Sequence, residues 1–369
     1  MSDRAAAVVD HDAGDLFGLT RALCAVPSVS GDETTLTDAI ETRVRNRAAN
    51  LAIDRIANNV IVRTTFGLQR RVVLAGHIDT VPVNNNAEPR VEGDVLHGLG
   101  AADMKGGLAV LLALAELATG GQAHHDLTFV WYEGEEVADP QNGLRHLFEV
   151  EPELLAGDLA FLLEPTSGWV EAGCQGTMNA RVTVRGERAH TARPWMGVNA
   201  IHRASDLLAR VAANKPEIVN VDGLDYREAL QVVRVEGGVA NNVVPDACTF
   251  VVNRRFAPTR TADDAEAELR ALLAGADEIE VLSASPAAPP NLDNALVAEF
   301  VGTLDIAVRP KLGWTDVARF ASRGVPALNY GPGDPTLAHT ADERVERGDI
   351  EGCFNVLAHF LGLRVARRK

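Results

Sequence analysis

Three short, almost unbroken apolar runs decide most of what this chain can fold into: Arg71-Val-Val-Leu-Ala-Gly76, Leu127-Thr-Phe-Val-Trp-Tyr132 and Leu159-Ala-Phe-Leu-Leu163. A strand with one wet face alternates apolar and polar residues. An unbroken run suits a strand covered on both faces, as in a parallel sheet with helices above and below. Helical spacing fills the gaps, at 107–118 after the first run and 142–149 after the second. Further helical patterns lie at 14–24, 34–49 (with Asp32 or Thr34 placed to start it) and 348–362, and strand patterns at 51–64 and 325–330. Apolar strands alternating with helices predict an α/β domain with a mostly parallel sheet flanked by helices.

The texture changes after about residue 175. Segments 177–185, 230–236 and 246–255 alternate apolar and polar residues, with helical patterns at 198–213 and 262–274 between them. That is the pattern of an α+β unit with an antiparallel sheet. Ser283–Pro290, rich in Ala and Pro, reads as a return linker. The expected organisation is a large α/β domain, 1–175 and 287–369, interrupted by an inserted α+β domain over 176–286. A net charge of −16 argues against nucleic acid as a partner, which needs a basic face. The longest apolar run, Leu108 to Ala118, is short of the ~20 residues that span a bilayer, so no membrane association is expected. Met1 to Asp15 carries acids and no apolar core, unlike a secretory signal. Four cysteines without CxxC spacing point to a reduced, cytoplasmic protein rather than a disulfide framework.

Five segments set metal-type ligands at the ends of predicted strands or in the loops after them, where parallel sheets bind ligands. In Gly76-His77-Ile78-Asp79, Asp79 can reach back to the imidazole and fix its tautomer. Gly100-Ala-Ala-Asp103-Met-Lys-Gly-Gly107 is a tight turn entering a helix, from which Asp103 could bridge two cations. Glu133-Gly-Glu135-Glu136 packs carboxylates that repel one another unless a cation relieves one, leaving another free to act as a base. Glu164 follows the third apolar run, and His339 lies in a loop near the C-terminal end. Each has an ordinary structural explanation: a helix cap for Asp103, an acidic surface turn for 133–136, a lone structural residue for Glu164 or His339. Together they supply imidazole and oxygen donors without thiolate, a set suited to Zn, Co or Mn. Nucleotide loops and the G-x-S-x-G elbow of serine hydrolases are absent from the sequence.

The same segments resemble the M20 family of metallopeptidases and deacylases, and most of all its succinyl-diaminopimelate desuccinylases of the actinobacterial type. The stretches that carry the likeness are LAGHIDTVP (74–82), GAADMKGG (100–107), YEGEEVA (132–138), LLEPT (162–166), EAGCQGT (171–177), RAHTARPWMGVNAIH (188–202), GGVANNVVPD (237–246), NRRFAP (253–258), GWTDVARF (313–320) and GPGDPTLAHTADE (331–343). They run through nearly the whole chain in family order.

The resemblance implies two zinc ions, with Co2+ or Mn2+ as substitutes. His77 and Glu164 would hold one, Glu136 and His339 the other, and Asp103 would bridge. Glu135 would be the general base and Asp79 the partner of His77. The inserted domain would act as a lid and as the contact of a homodimer, with His190 reaching the substrate carbonyl across that dimer. Asn241, Asn242, Arg255 and Thr315 would serve a small anionic acylated amino acid, with Arg193 a substitute for a cation missing at Cys174-Gln175. Cys174-Gln175 stands where many relatives carry an Arg pair, a departure shared by the actinobacterial type. The implied reaction is hydrolysis of N-succinyl-LL-2,6-diaminopimelate. Other expectations are an acetylornithine deacetylase, a carboxypeptidase-like hydrolase, or a non-catalytic binding protein, the last opposed by the complete ligand set.

Overall fold

The computed structural model describes residues 2–304 and 306–364. The chain divides into two compact units: Met1–Ala172 with Asn291–Arg309 and Arg319–Lys369, and Gly173–Pro290 with Pro310–Ala318.

The first unit is built on an eight-stranded sheet in the order 52–56, 59–63, 126–132, 71–77, 159–162, 327–329, 170–172, 308–310. Its four central strands, from Asp126–Tyr132 through Arg71–His77 and Leu159–Leu162 to Ala327–Asn329, are mutually parallel. The pairings of 52–56 with 59–63, of 59–63 with 126–132 and of 327–329 with 170–172 are antiparallel. The three apolar runs fill the centre, and every residue of Asp126–Tyr132 and Leu159–Leu162 is buried. Helix Gly106–Ala118, apolar nearly all round, is buried along almost its whole length. Its first turn lies so close to the sheet that a Cβ on Gly107 would stand 2.4 Å from the Leu163 carbonyl oxygen. Glycine at 107 therefore lets the turn that carries Asp103 sit beside the strand that leads to Glu164.

Several local features differ from the sequence reading. The stretch 51–64 is a hairpin, Ala52–Ile56 and Asn59–Arg63, turning at Ala57 with a φ of 53°. Helix Thr34–Arg47 begins at Thr34, one of the two expected starts, while Glu33 rather than Asp32 stands at the cap position, its carboxylate occupied by the Gly31 N–H. A first helix, Asp3–Asp10, precedes the elements read from periodicity. Buried Arg43 holds it, donating to the Val8 and His11 carbonyls at 2.6 and 2.9 Å. Among the described residues no helix is long and apolar enough to cross a membrane.

The second unit holds a four-stranded sheet in the order 229–237, 247–256, 176–185, 278–285, each neighbouring pair antiparallel. Alternation along Gly176–Arg185 puts Met178, Ala180, Val182 and Val184 on the inner face, against Leu207 and Val211 of helix Ala200–Ala213 and Leu269 of helix Ala262–Leu272. The stretch read as a linker is shorter than expected, because strand Glu278–Ser285 takes its first residues and Ala288 pairs with Cys174. Residues 310–318 belong to this unit through three bonds: Gln175 N–H to the Lys311 carbonyl, the Trp314 indole N–H to the Pro286 carbonyl, and the Cys174 thiol to the Thr315 carbonyl.

Candidate metal centre

Because the central strands are parallel, their carboxyl ends come to one edge. His77 ends its strand in register with Tyr132, and Glu133–Glu136 follow directly. Glu164 comes two residues after Leu162 in the neighbouring strand. Asp103 reaches the same edge from the turn before helix Gly106–Ala118, where the Asp103–Met104 peptide is cis. The Met104 sulfur lies 3.3 Å from the His77 amide N, so the turn and the strand end are tied together.

Ligand-type atoms of His77, Asp103 and Glu136 all lie within 4.8 Å of one another. The Asp103 carboxylate faces both histidines: Oδ1 lies 3.1 Å from His77 Nε2, and Oδ2 lies 3.4 Å from His339 Nε2. His339, on a left-handed backbone (φ 63°), also lies 2.8 Å from Glu136 Oε1. His77 Nδ1 is 3.0 Å from the Asp79 carbonyl oxygen. A carbonyl only accepts, so Nδ1 carries the proton and Nε2 is turned toward Asp103.

Burial works against a charged His77. Hydrogen bonds to Asp103 and Asp79, with the charge of Glu164, outweigh it and raise the imidazole well above its ordinary value. His339 is raised to about 10 by its bonds to Asp103 and Glu136, against partial burial. Burial would likewise raise Asp103, but the two imidazoles hold it far below the usual carboxylate range. The carboxylates thus stabilise positive charge at two points, one on each side of Asp103. Oxygen and imidazole donors around two such points fit a pair of divalent cations of the Zn, Co or Mn kind.

Asp79, fully buried, organises the base of this centre. Its Oδ1 accepts the Glu135 N–H and its Oδ2 the Glu136 N–H, both at 3.0 Å, and Ser30 Oγ donates to Oδ2 at 2.7 Å. Burial opposes its ionisation, but the His77 bond and charge, the Ser30 bond and the Glu136 amide hold the carboxyl at about 2. The acidic run separates into distinct tasks. Glu133 turns away, its Oε1 accepting from the Asn58 amide and the Asn59 side chain at 3.2 Å. The next residue, Gly134, has left-handed backbone (φ 68°), and the Glu135 and Glu136 amides beyond it are the ones held by Asp79. Ser30 and Glu343 had no assigned part in the sequence reading. Glu343 stands at the end of the family-like stretch 331–343, and that placement was the available signal.

His190, Arg193, Asn241, Asn242, Arg255 and Thr315 lie in the second unit. Three of them gather in one place: His190 bridges Val243, the Asn242 carbonyl accepts the Thr191 N–H at 3.1 Å, and the Arg193 N–H donates to the His190 carbonyl at 2.7 Å. The His190 ring accepts the Ala192 N–H through Nδ1 at 3.0 Å, and the His190, Arg193, Asn241 and Asn242 side chains are exposed. Arg255 is half-buried on strand Ala247–Phe256, its Nε 3.1 Å from Asn253 Oδ1, and burial lowers its guanidinium. Thr315 is buried. Cys174 and Gln175 are buried too, and the Gln175 amide is spent on the Arg227 carbonyl at 2.7 Å.

The model of peptidase family M20/M25/M40 matches residues 73–362. A Corynebacterium glutamicum protein named succinyl-diaminopimelate desuccinylase is 47% identical over 355 residues, covering 94% of this chain and 96% of that one. A Mycobacterium tuberculosis protein given the same name provisionally is 47% identical over 350 residues, covering 95% and 98%. A Bacillus subtilis protein, described as a dinuclear metal-binding peptidase of the M20 family, shares the fold. Its TM-score is 0.72 at 15% identity, over 94% of this chain and 97% of that one.

Proposed function

Since the chain belongs to peptidase family M20/M25/M40, we propose that it is a metal-dependent amide hydrolase that removes succinate from N-succinyl-LL-2,6-diaminopimelate. Two relatives named for this reaction, each 47% identical over more than nine-tenths of both chains, support the substrate. The observation that carries the chemistry is the Asp103 carboxylate with one oxygen toward His77 and the other toward His339.

The proposed cofactor is a pair of zinc ions, replaceable by Co2+ or Mn2+, with His77 and Glu164 on one side, Glu136 and His339 on the other, and Asp103 shared. When bound, such a pair supplies Lewis acidity, acidifying water and polarising an acyl carbonyl. The remaining work falls to side chains of the protein. Glu135 takes the proton of the attacking water and passes it to the leaving amine, as a positioned carboxylate can. Asp79 holds the Glu135 and Glu136 amides and orients His77, so base and ligands share one anchor. We assign the substrate carbonyl to His190 and the substrate's polar ends to Asn241, Asn242, Arg193, Arg255 and Thr315. Arginine suits a carboxylate because its planar fork donates two parallel bonds. With Cys174 and Gln175 buried, the distal carboxylates fall to the arginines.

We further propose a homodimer through the second unit. Strand Ala229–Gly237 is an edge of its sheet, and Val233 and Val235 on it are 59% and 52% exposed, an open apolar edge of the kind that pairs with another chain. The cysteine spacing supports a reducing, cytoplasmic setting.

The test is succinate release from N-succinyl-LL-2,6-diaminopimelate by zinc-loaded protein, with N-acetylornithine run in parallel. Rapid, chelator-sensitive succinate release is expected. Turnover of the acetyl substrate alone would keep the two-metal chemistry and refute the succinyl assignment.

A further inference from the structure

Four residues beyond His339, the chain buries a carboxylate that no step above uses. Glu343 is 1% exposed. Its Oε1 accepts the Ala102 and Asp103 N–H groups at 3.1 and 3.0 Å, and its Oε2 accepts the Gly100 N–H at 3.1 Å. Its backbone carbonyl takes the Gly98 N–H at 3.1 Å. One residue therefore satisfies four amides of the segment that carries Asp103. The turn exposes these amides because Gly100 is left-handed (φ 77°) and Asp103 departs from helical geometry, so no helical carbonyl is in line. Converging N–H groups of this kind form a concavity for an anion.

Glu343 also shares a short, hydrogen-bonded turn segment with His339. The Thr340 N–H bonds the Leu337 carbonyl and the Glu343 N–H bonds the Thr340 carbonyl, both at 3.3 Å, while Asn86 Nδ2 donates to the Thr340 carbonyl at 3.1 Å. Fixing the Glu343 carboxylate on the Asp103 turn thus fixes where His339 stands against Asp103. His77 meets the Asp103 turn through the Met104 sulfur, but it has two further anchors that do not involve Glu343, its own strand and the Asp79 carbonyl. We infer that Glu343 is a positioning residue that sets the Asp103–His339 spacing, and thereby governs the cation position shared by Asp103, His339 and Glu136 more than the one beside His77. The inference rests on the two-metal reading above.

The test is zinc titration of the full-length, metal-stripped protein by calorimetry and by competition with a chromophoric chelator, for wild type, Glu343→Ala and Glu343→Gln. Glutamine keeps the volume and an oxygen for Ala102 and Asp103, but sets an N–H against the Gly100 amide, so it guards against an alanine variant that fails to fold. Wild type should take up two zinc ions. In both variants one site should stay within about threefold of wild type and the other weaken about 10–100-fold, the usual effect of losing a residue that orients a ligand. Excess zinc should restore kcat with KM unchanged. As a control, Asp126→Asn removes a comparable carboxylate-to-backbone cluster at the opposite end of strand Asp126–Tyr132 and should leave both zinc affinities unchanged. Equal weakening at both sites, or none, in folded Glu343→Gln would overturn the inference alone. Wild-type protein that bound no zinc would overturn the metal reading and the inference with it.

Discussion

Replacing Asp79 by Asn tests whether the base of the centre works as a single anchored unit. The substitution is nearly isosteric, so the effect comes from hydrogen-bond polarity and charge. Asp79 is fully buried and offers only acceptors to the Glu135 amide, the Glu136 amide, the Ser30 hydroxyl and the His77 ring, whose Nδ1 is 3.5 Å from Oδ1. An asparagine must present its NH2 to one side. On the Oδ1 side the NH2 meets two donors, Glu135 N–H and His77 Nδ1–H. On the Oδ2 side it meets the Glu136 N–H and a hydroxyl that can rotate to accept. The second arrangement wins, and the Glu136 amide is left without an acceptor at a cost of about 1–3 kcal/mol.

The loop can relieve that cost only by moving, and the same loop carries Glu135 and Glu136. We expect Asp79→Asn to lower kcat/KM about 10–100-fold, roughly 1.4–2.8 kcal/mol of transition-state stabilisation. Most of the loss should fall in kcat. Ser30→Ala removes one donor to the charged carboxylate, a bond worth about 1.5–3 kcal/mol of stability, but leaves both loop amides with their acceptor, so kcat/KM should fall less than in Asp79→Asn. The assay is initial-rate succinate release at saturating zinc, with metal content measured on the same samples. Fully metallated Asp79→Asn within threefold of wild type would refute the anchoring argument, because the misplaced amide would then have no kinetic consequence.

Glu135→Gln should keep its metal content while kcat falls at least about 100-fold, the scale of a lost general base; turnover within tenfold of wild type would assign the proton transfer elsewhere. Asp126 accepts the Thr64 hydroxyl and the Phe66, Gly67 and Leu68 amides, and these bonds hold its carboxyl below the usual range despite burial. Its contribution, about 1.5–3 kcal/mol, is therefore fully present above the unfolded value of about 3.9 and is lost as pH falls through the lower folded value. Urea unfolding should show Asp126→Asn less stable than wild type at pH 7, with the gap closing below about pH 4; a gap that does not depend on pH would contradict this. If the proposed dimer forms through strand Ala229–Gly237, wild type should sediment as a dimer and Val235→Glu as a monomer without loss of far-UV signal; a variant that stays dimeric would move the interface away from that strand.

The parts of the molecule legible in the sequence are those in which side-chain type follows directly from surroundings. The runs at 71–76, 127–132 and 159–163 are unbroken because both faces of their strands are covered, and a parallel sheet must then bring their ends, and hence His77, Glu135, Glu136 and Glu164, to one edge. Within Glu133–Glu136, by contrast, composition could not assign tasks. What separates Glu133 from its neighbours is the left-handed Gly134 and a hairpin that brings up Asn58 in its turn and Asn59 at the start of its second strand, from some 75 residues upstream. Arg43 was hidden in the same way. A cation in helix Thr34–Arg47 reads as a solvated face, yet it is buried under carbonyls from a helix that periodicity did not show.

Glu343 is the sharpest case. Its partners are main-chain amides some 240 residues away, and every residue but proline carries such a donor, so no residue pattern at 98–103 announces that an anion is needed there. Ligand chemistry is written in side chains and survives reading one segment at a time. The geometry that makes ligands act together is written in backbone donors, which have no letter in the sequence. It follows that substitutions at the readable positions, such as Glu135, should remove a chemical step outright, whereas those at Glu343 or Ser30 should leave every step possible and make it less well aimed. Zinc rescue separates Glu343 from Glu135, because added metal can refill a loosened site but cannot replace a missing base.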